Sequence, residues 1–544
     1  MEQAMRYFLW MFFFSTTLLR ADSNTFSSSR VNSFYNTFVC EEKDDAAFAD
    51  LTGPCTNSGY NGGTGGYTPP PPIGSGYFPI IIDNQTGYAD SRIYFLIYGY
   101  GVSNSGVIDS GQSYVNVVSR SLVPATGAGT PDSTLYSYQL STITKTDNQY
   151  LIYIPYLNSG IMLFGIKSSS HAAPFTGLSA SNGRITNPIP VTNADDNYYT
   201  AFNFGEVTFL PPNLGLNQFT ADYSCVSYYS LSFTLSLYKA ATFPQISGNA
   251  YSRSHNIGNL QSAFNAATPA YTASQWNQLV SADNFDDSLP IRVLSANIGM
   301  SNSLLTDSYF SNTSIGAGNS WAANVWTTQG CYYDGTSGSR QNHYVTLNIS
   351  VSGATESYTG FSDPINSYGV LNTPFVFRRS DSNLWFFIPY NDTTQSPTTS
   401  SCIFATPAVF TNMYYSTNKT GSGAVAIPSS GSIYDRAVEI TKEFAASINT
   451  GILPIPGYST TESGPANTYV QNYYWTNPNL TTSRGYVWYN LFSKALIKPY
   501  QSRFNTFYTY TYDDYLYRQA TGFNVTVAHN TVDSSTFMVV KLQP

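Results

Sequence analysis

Charged residues are scarce in this chain of 544 residues, and the scarcity excludes one large class of partners. Only 10% of the residues are charged, and 24 basic against 32 acidic residues leave a net charge of −8. A protein that binds nucleic acid needs a basic face for the phosphate backbone. We therefore expect no nucleic-acid partner, and a neutral polymer suits the weakly charged surface better.

Histidine and cysteine are also scarce. The four histidines stand apart, in none of the spacings that bind zinc, so we predict no metal site and no cofactor. Five cysteines are too few for a fold held together by disulfides, and an odd number leaves at least one without a partner in the chain. We expect Cys40 to pair with Cys55, Cys331 to pair with Cys402, and Cys225 to be a buried thiol.

Only the N-terminus carries a long apolar run. Arg6 precedes the apolar residues 8–14, and a polar region follows Ala21, so the pattern predicts a signal peptide over residues 1–21. No later run reaches the roughly 18 apolar residues that a membrane span needs. We expect a secreted, extracellular protein with no membrane partner, and the Asn-x-Ser/Thr sequons scattered along the chain fit that location.

Aromatic residues, by contrast, are abundant, with 45 tyrosines and 34 phenylalanines. In the first half they alternate with β-branched residues in short runs separated by turn residues, as in a β-sandwich or barrel. Strands are predicted at 78–82, 92–98, 114–120, 150–156, 161–166, 206–210 and 227–238.

The second half mixes helical and strand patterns. Apolar residues recur at helical spacing over 433–448, a second helix is predicted at 484–497, and Ser274 is placed to cap a turn through Trp276. Strands are predicted at 344–351, 374–378 and 384–388. The fold class is therefore mainly β plus α/β.

Composition divides the chain into five segments. These are the signal peptide (1–21), an N-terminal segment ending in a Gly/Pro-rich linker (22–76), a β domain (77–240), a mixed α/β domain (241–500) and a C-terminal segment that can return to the β domain (501–544).

Two carboxylates stand out against so few charges. Glu206 and Asp222 lie in two short β-like runs, 204–210 and 216–223, joined by a loop rich in Pro, Asn and Gly. If the runs pair as a hairpin, both carboxyl groups can flank one bond. A glycosidase needs such a pair, one group protonated for the leaving oxygen and one ionised to activate water or attack carbon. The alternative interpretation is two surface acids beside a hairpin.

The same stretch resembles glycoside hydrolase family 64, the β-1,3-glucanases related to thaumatin-like proteins. The likeness is carried by Glu206, Thr208, the run Leu214-Gly-Leu-Asn217 and Asp222. It continues in order along most of the chain, at 79–87, 151–165, 292–295, 434–436 and 510–514.

The resemblance implies a thaumatin-like β-sandwich or barrel domain and a mixed α/β domain flanking a wide groove. It also implies an inverting endo-β-1,3-glucanase that cuts β-1,3-glucan into short oligosaccharides. Glu206 would be the general acid and Asp222 the general base. The residues that the resemblance places at the substrate are Thr208, Asn217, Asp513 and Asp514.

An inverting mechanism predicts the separation of the Glu206 and Asp222 carboxyl groups and the surroundings of each. The two carboxyl groups should lie roughly 6.5–9.5 Å apart, so that a water fits beneath the sugar. Glu206, flanked by Phe204 and Phe209, is expected in the more apolar setting, which would keep it protonated as the acid.

The chain also departs from the family pattern. Leu210 stands where the family has Asn, Gly215 stands where it has Trp, and residues 489–498 lack the family's His. These departures favour a second hypothesis, a β-glucan-binding protein without turnover. The Tyr/Asn/Ser-rich composition supports a third, a secreted structural or attachment glycoprotein on the same scaffold.

Overall fold

The described part of the protein is built mostly from β-strands, with few helices. The computed structural model describes residues 67–305 except 72–73, 75, 126–132, 172, 179, 215–216, 240–241, 249–250 and 268–269. It further describes 345–351, 354–362, 375–388, 409–410, 413–418, 420–449, 490–497, 507–508 and 526–543. The predicted signal peptide, the two predicted disulfides and Asp513-Asp514 lie outside these residues.

Among the described residues, fifteen strands precede helix Arg253–Asn265. Their bounds are Tyr77–Asn84 (β1), Ile93–Val102 (β2), Ile108–Asn116 (β3), Ser121–Pro124 (β4), Tyr138–Gln139 (β5), Lys145–Thr146 (β6), Gln149–Pro155 (β7), Leu157–Lys167 (β8), Ala180–Ser181 (β9), Arg184–Ile185 (β10), Thr200–Phe209 (β11), Phe219–Ser224 (β12), Tyr228–Tyr229 (β13), Phe233–Lys239 (β14) and Thr242–Gly248 (β15).

Further strands follow along the chain. They are Val293–Leu294 (β16), Val345–Val351 (β17), Ala354–Ser362 (β18), Phe375–Arg379 (β19), Trp385–Ile388 (β20), Tyr414–Ser416 (β21), Val425–Ala426 (β22), Phe507–Tyr508 (β23), Thr526–His529 (β24) and Phe537–Leu542 (β25). The helices are Arg253–Asn265 (α1), Ala270–Asn277 (α2), Ala296–Ser301 (α3), Ser432–Asn449 (α4) and Leu491–Ile497 (α5).

Two sheets form a sandwich. Sheet I has the order β15-β14-β25-β1-β7-β6, and sheet II has the order β23-β12-β11-β8-β2-β3-β4, with β24 beside β12 and β5 beside β2. Phe78 of β1 joins them, because its ring lies 3.8 Å from that of Phe219 and 5.5 Å from that of Phe209, centroid to centroid. Such aromatic packing supplies much of a core's buried area. The expectation of a mainly β fold is confirmed.

The C-terminal strands are inserted into these sheets. β25 lies between β1 and β14 in sheet I, parallel to β1 and antiparallel to β14. β24 pairs antiparallel with β12 in sheet II. Five of the six side chains of β25 are buried. The sandwich is therefore completed by residues more than 280 positions downstream of β14.

A third sheet carries helix α4. It is an antiparallel sheet of order β17-β18-β19-β20-β21-β22. Phe444 of α4 is fully buried and packs on the rings of Phe375, Phe377 and Phe410 at 4.9, 5.5 and 5.8 Å. The helix predicted over 433–448 is confirmed, because its apolar residues share the face that meets this sheet.

An ion cluster ties α4 to β18. Glu356 accepts hydrogen bonds from Arg436 at 2.6 and 2.7 Å and from the Tyr358 hydroxyl at 2.8 Å. Burial alone would raise the pKa of Glu356, but these hydrogen bonds outweigh it and hold that pKa below its usual value. Arg436, one of the residues in the resemblance, thus has a structural role here.

Two sequence predictions were wrong, and one helix was missed. Ser274 lies inside α2 and caps no helix. Residues 117–120 form a turn instead of extending a strand, since Arg120 has a φ of 59°. Helix α1 was missed because its buried face includes the polar residues Arg253 and Asn256. The backbone carbonyls of Ser230 and Ile291 accept hydrogen bonds from Arg253.

Cys225 is a buried thiol, as expected, and Asn203 Nδ2 donates to its sulfur at 3.4 Å. In the part of the chain that the structure describes, no helix is long and apolar enough to cross a bilayer.

Candidate active site

The hairpin predicted from the sequence is present. β11 and β12 are antiparallel neighbours, and Glu206 lies directly opposite Asp222, with Thr208 opposite Thr220. Directly opposed residues in an antiparallel pair point to the same face, with their Cβ atoms about 4.5–5.5 Å apart. The register therefore places both carboxylates on one side of sheet II.

The row of opposed residues continues across the sheet. Glu206 pairs with Ile161 on β8, Ile161 with Tyr98 on β2, and Tyr98 with Tyr114 on β3. On the other side, Asp222 pairs with Thr526 on β24. The carboxylates thus belong to a row of side chains that crosses sheet II on its outer face, the face directed away from sheet I.

The outer face is covered at one end of β11 and open at the other. Thr200, Phe202 and Phe204 are buried, Glu206 is exposed, and Thr208 is half-buried. These five side chains share one face because side chains alternate along a strand. Glu206 lies where the cover of β11 ends, so a polymer can approach the carboxylate pair from this side.

The buried end of the outer face of β11 is covered by the ring of Tyr228 and the guanidinium of Arg292. The ring of Tyr228 packs edge-on against Phe202 at 5.2 Å and Phe204 at 6.4 Å. The guanidinium of Arg292 lies 5.3 Å from the ring of Phe202 and donates to the carbonyl oxygens of Tyr198 and Thr200. These contacts fix the start of β11.

Residues 183–189, here named the rim segment, pass beside the open part of the face. Gln112 of β3 anchors the segment at two points. Its backbone N–H donates to the carbonyl of Gly183 at 2.8 Å, and its Oε1 accepts from the N–H of Ile185 at 2.6 Å. The rim segment is therefore held in place by sheet II itself.

Two tyrosines of the outer face hold the far half of the rim segment. The Tyr98 hydroxyl donates to Asn187 Oδ1, and the Tyr228 hydroxyl donates to the carbonyl of Pro188 at 3.5 Å. Ile189 follows with 37% of its surface exposed. Burial, together with the charges of Tyr114 and Glu206, raises the pKa of Tyr98, so this phenol stays protonated as a donor.

Of the other predicted substrate contacts, the structure describes Thr208 and Asn217. Thr208 Oγ1 accepts from the backbone N–H of Ser159 at 3.2 Å and so supports the irregular start of β8. Asn217 is half-buried in the hairpin loop, next to Gln218. Asp513 and Asp514 lie outside the described residues. The pair is brought together with Thr208 on one face, and the roles of all six residues stay predictions.

The expected setting of Glu206 was wrong. Phe209 points to the inner face and packs on Phe78, and Phe204 lies under the ring of Tyr228. Phe209 is excluded because it faces the opposite side of the strand, and Phe204, on the same side as Glu206, packs against Tyr228 instead. Glu206 is exposed and Asp222 is half-buried. The carboxyl separation of an inverting enzyme stays a prediction, and it requires the two side chains to diverge from their opposed Cβ atoms.

Gly205 controls how closely the two carboxylate strands approach. A Cβ at this position would lie 2.7 Å from the backbone carbonyl oxygen of Asp222. We expect Gly205→Ala to lower the free energy of unfolding by about 1–3 kcal/mol, because the strands must separate. Urea denaturation measures the loss, and kcat/KM on soluble glucan should fall with it.

Gly258 provides the matched control for that substitution. It lies in the middle of α1, and a Cβ there would meet nothing within 4 Å. Gly258→Ala should stabilise the protein by up to about 1 kcal/mol, because alanine favours the helix. Equal effects of both substitutions would contradict the close approach at Gly205.

Tyr98, Asn187 and Arg292 were missed as parts of this site. Tyr98 and Asn187 are 89 positions apart, and no local pattern links them. Arg292 was noticed only within the resemblance. Among the described residues, no three His, Cys, Asp or Glu side chains form a group that could hold a metal.

Solved structures resemble this fold at low sequence identity. A laminaripentaose-producing beta-1,3-glucanase in complex with laminaritetraose superposes with a TM-score of 0.52 at 15% identity, covering 86% of this chain and 99% of that chain. A beta-1,3-glucanase domain (GH64) from Clostridium beijerinckii gives 0.48 at 14% identity, covering 88% and 100%. A GH family 64 laminaripentaose-producing beta-1,3-glucanase from Paenibacillus barengoltzii gives a TM-score of 0.43 at 14% identity, covering 89% of this chain and 79% of that chain.

Part of the sequence also matches a family profile. No curated protein matches this chain. Residues 76–327, which include β1 to β16 and both carboxylates, match the profile of glycoside hydrolase family 64, described as beta-1,3-glucanase. The first of the structures above shares its fold. Residues 76–327 of this chain therefore match family 64 of the glycoside hydrolases.

Proposed function

We propose that the protein is a secreted, inverting endo-β-1,3-glucanase. One observation carries the proposal, namely that Glu206 and Asp222 are directly opposed on the open end of the outer face of sheet II. The family profile, described as beta-1,3-glucanase, spans both residues. A resembling structure holds laminaritetraose, which supports a β-1,3-glucan as the polymer.

The proposed reaction divides the work between the two acids. Glu206 donates a proton to the glycosidic oxygen as its bond to the anomeric carbon breaks. Asp222 removes a proton from a water that attacks this carbon from the opposite face. The new bond joins the water oxygen to the anomeric carbon, and the product has the α configuration. Asp222 ends protonated and Glu206 ionised, and exchange with solvent resets both.

The two carboxylates differ in exposure to solvent, because Asp222 is half-buried and Glu206 is exposed. Thr208 and Asn217 are proposed substrate contacts, since both lie half-buried at the same end of the hairpin. The sandwich is proposed to be thaumatin-like and to form one wall of a wide groove, with the α/β part as the other. Residues 1–21 are proposed to direct secretion.

Hydrolysis of soluble laminarin tests the proposal. We expect release of reducing sugar, with oligosaccharides as early products and the α anomer formed first in the NMR spectrum. A β-1,4-glucan of similar length serves as the control substrate and should stay intact.

Three outcomes would contradict parts of the proposal. Initial formation of the β anomer would mean retention, which a shorter carboxyl separation of about 5–5.5 Å would permit. Binding to insoluble β-1,3-glucan without sugar release would favour the binding-protein hypothesis. Neither binding nor release would favour a structural glycoprotein.

A further inference from the structure

We infer that Asn187 contacts the bound glucan and that Tyr98 is the positioning residue that orients it. The inference rests on the proposed function and adds a specificity-determining residue outside the carboxylate pair. Its basis is the hydrogen bond by which an almost fully buried tyrosine holds a half-buried amide beside the open face.

The hydrogen bond fixes which end of the amide faces outwards. Tyr98 is 1% exposed, and its hydroxyl donates to Asn187 Oδ1, so the oxygen is directed towards the sheet. The Nδ2 group must then point away from Tyr98, because the two ends of a planar amide diverge. Among the described residues, none accepts a hydrogen bond from Nδ2. Its two N–H donors are left for a ligand or water.

The amide lies close to the carboxylates. Tyr98 and Glu206 occupy the same row, two strands apart with Ile161 between them. Strands lie about 4.8 Å apart, so the Cα atoms of Tyr98 and Glu206 are roughly 10 Å apart. The pKa of Tyr98 is raised first by burial, then by Tyr114 and to a smaller extent by the charge of Glu206. A chain of sugars that occupies the carboxylate pair can therefore extend to the rim segment.

The chemistry of the rim segment suits a neutral sugar. A glucan offers hydroxyl groups as acceptors and C–H faces as apolar surface, and it carries no charge. Asn187 supplies two fixed N–H donors, and Ile189 supplies exposed apolar surface two residues away. Because the rim segment is anchored by Gln112, Tyr98 and Tyr228, little entropy is lost when these groups bind.

Kinetics of four variants test the inference. We expect Asn187→Ala and the nearly isosteric Asn187→Leu to raise KM for laminarin about three- to tenfold with kcat little changed, the effect of one neutral hydrogen bond. Tyr98→Phe keeps the ring and should raise KM less. In the Asn187→Ala background, Tyr98→Phe should have no further effect on KM, since a positioning residue acts only through the residue it orients.

Thr186→Ala is the matched control, because Thr186 is the exposed neighbour in the same segment. Its KM and melting temperature should equal those of the parent protein. An unchanged KM in both Asn187 variants, or an additive effect of Tyr98→Phe in the double variant, would overturn the inference. A rise in KM that follows a loss of melting temperature in both Asn187 variants would also overturn it.

Calorimetric titration with laminarihexaose separates this inference from the proposed function. If the parent protein binds but does not hydrolyse, the function fails while weaker binding by Asn187→Ala still supports the contact. If the parent hydrolyses laminarin and Asn187→Ala binds equally well, the inference alone fails. If the parent neither binds nor hydrolyses, both fail.

Discussion

Asp222→Asn is expected to lower kcat on laminarin by about 10²–10⁴-fold, the usual contribution of a general base. The amide keeps the shape of the side chain but cannot accept a proton from water. Asp222→Gly or Asp222→Ala should regain activity when azide is added, because azide attacks the anomeric carbon without a base. Reducing-sugar assays with and without azide measure both effects.

Glu206→Gln should behave differently on an activated substrate. With a good leaving group, protonation of the leaving oxygen becomes dispensable, so this variant should retain more activity than Asp222→Asn. On laminarin both variants should be strongly impaired. This difference directly tests which carboxylate is the acid. The test is needed because Glu206 is exposed, so an apolar setting cannot be the reason that it stays protonated.

Asp196→Asn is the control for both substitutions, because Asp196 is an exposed carboxylate in the loop before β11. Its kinetics should match those of the parent protein. Equal losses in Glu206→Gln and Asp222→Asn on every substrate, without azide rescue and with laminarin binding intact, would show that the roles are assigned wrongly or that the protein only binds.

The largest effect on stability is expected from Arg292→Met. The Arg292 side chain is 1% exposed and donates to the carbonyls of Asn197 at 3.3 Å, of Tyr198, and of Thr200 at 3.0 Å. All three contacts are made by Nη2, whose two hydrogens the carbonyls share, so at most two hydrogen bonds to a charged donor count, at about 1.5–3 kcal/mol each. Methionine fills similar space but leaves these carbonyls without that donor.

A second effect acts in the opposite direction. Burial lowers the pKa of Arg292 to about 10, which shows that keeping a charge there has a cost. We expect the hydrogen bonds to dominate, with a net loss of about 3 kcal/mol in the free energy of unfolding, measured by guanidinium denaturation. Arg184→Met at an exposed position should change it by less than about 0.5 kcal/mol. A gain in stability for Arg292→Met would mean that the cost of burying the charge outweighs the hydrogen bonds.

Local patterns were enough to predict the hairpin and helix α4. The carboxylate runs are separated by a short loop, and the spacing of Ala437, Ile440 and Phe444 marks one helix face. Both patterns depend on residues close in sequence. The apolar setting of Glu206 was predicted wrongly because Phe209 faces the other side of the strand and Phe204 packs against Tyr228. The residues directly opposite Glu206 come from β8 and β12.

Contacts between distant residues could not be predicted. Helix α1 buries Arg253, and its carbonyl acceptors Ser230, Pro290 and Ile291 lie before and after the helix in sequence. The Tyr98–Asn187 hydrogen bond depends on the path of a loop without regular structure. Such polar contacts carry no periodic signal, because each is set by the folded geometry and not by its own segment.

The insertion of β25 between β1 and β14 determines when the sandwich can form during synthesis. Residues 537–542 are the last strand of sheet I to leave the ribosome. Until about 300 residues after β14 have been synthesised, the edges of β1 and β14 that β25 will cover therefore have no partner strand. Closing a pairing over so long a separation is slow. We therefore expect the half that carries Glu206 and Asp222 to finish folding only after residues 537–542 have been synthesised. Until then, the unpaired edges of β1 and β14 are sites where other chains could pair.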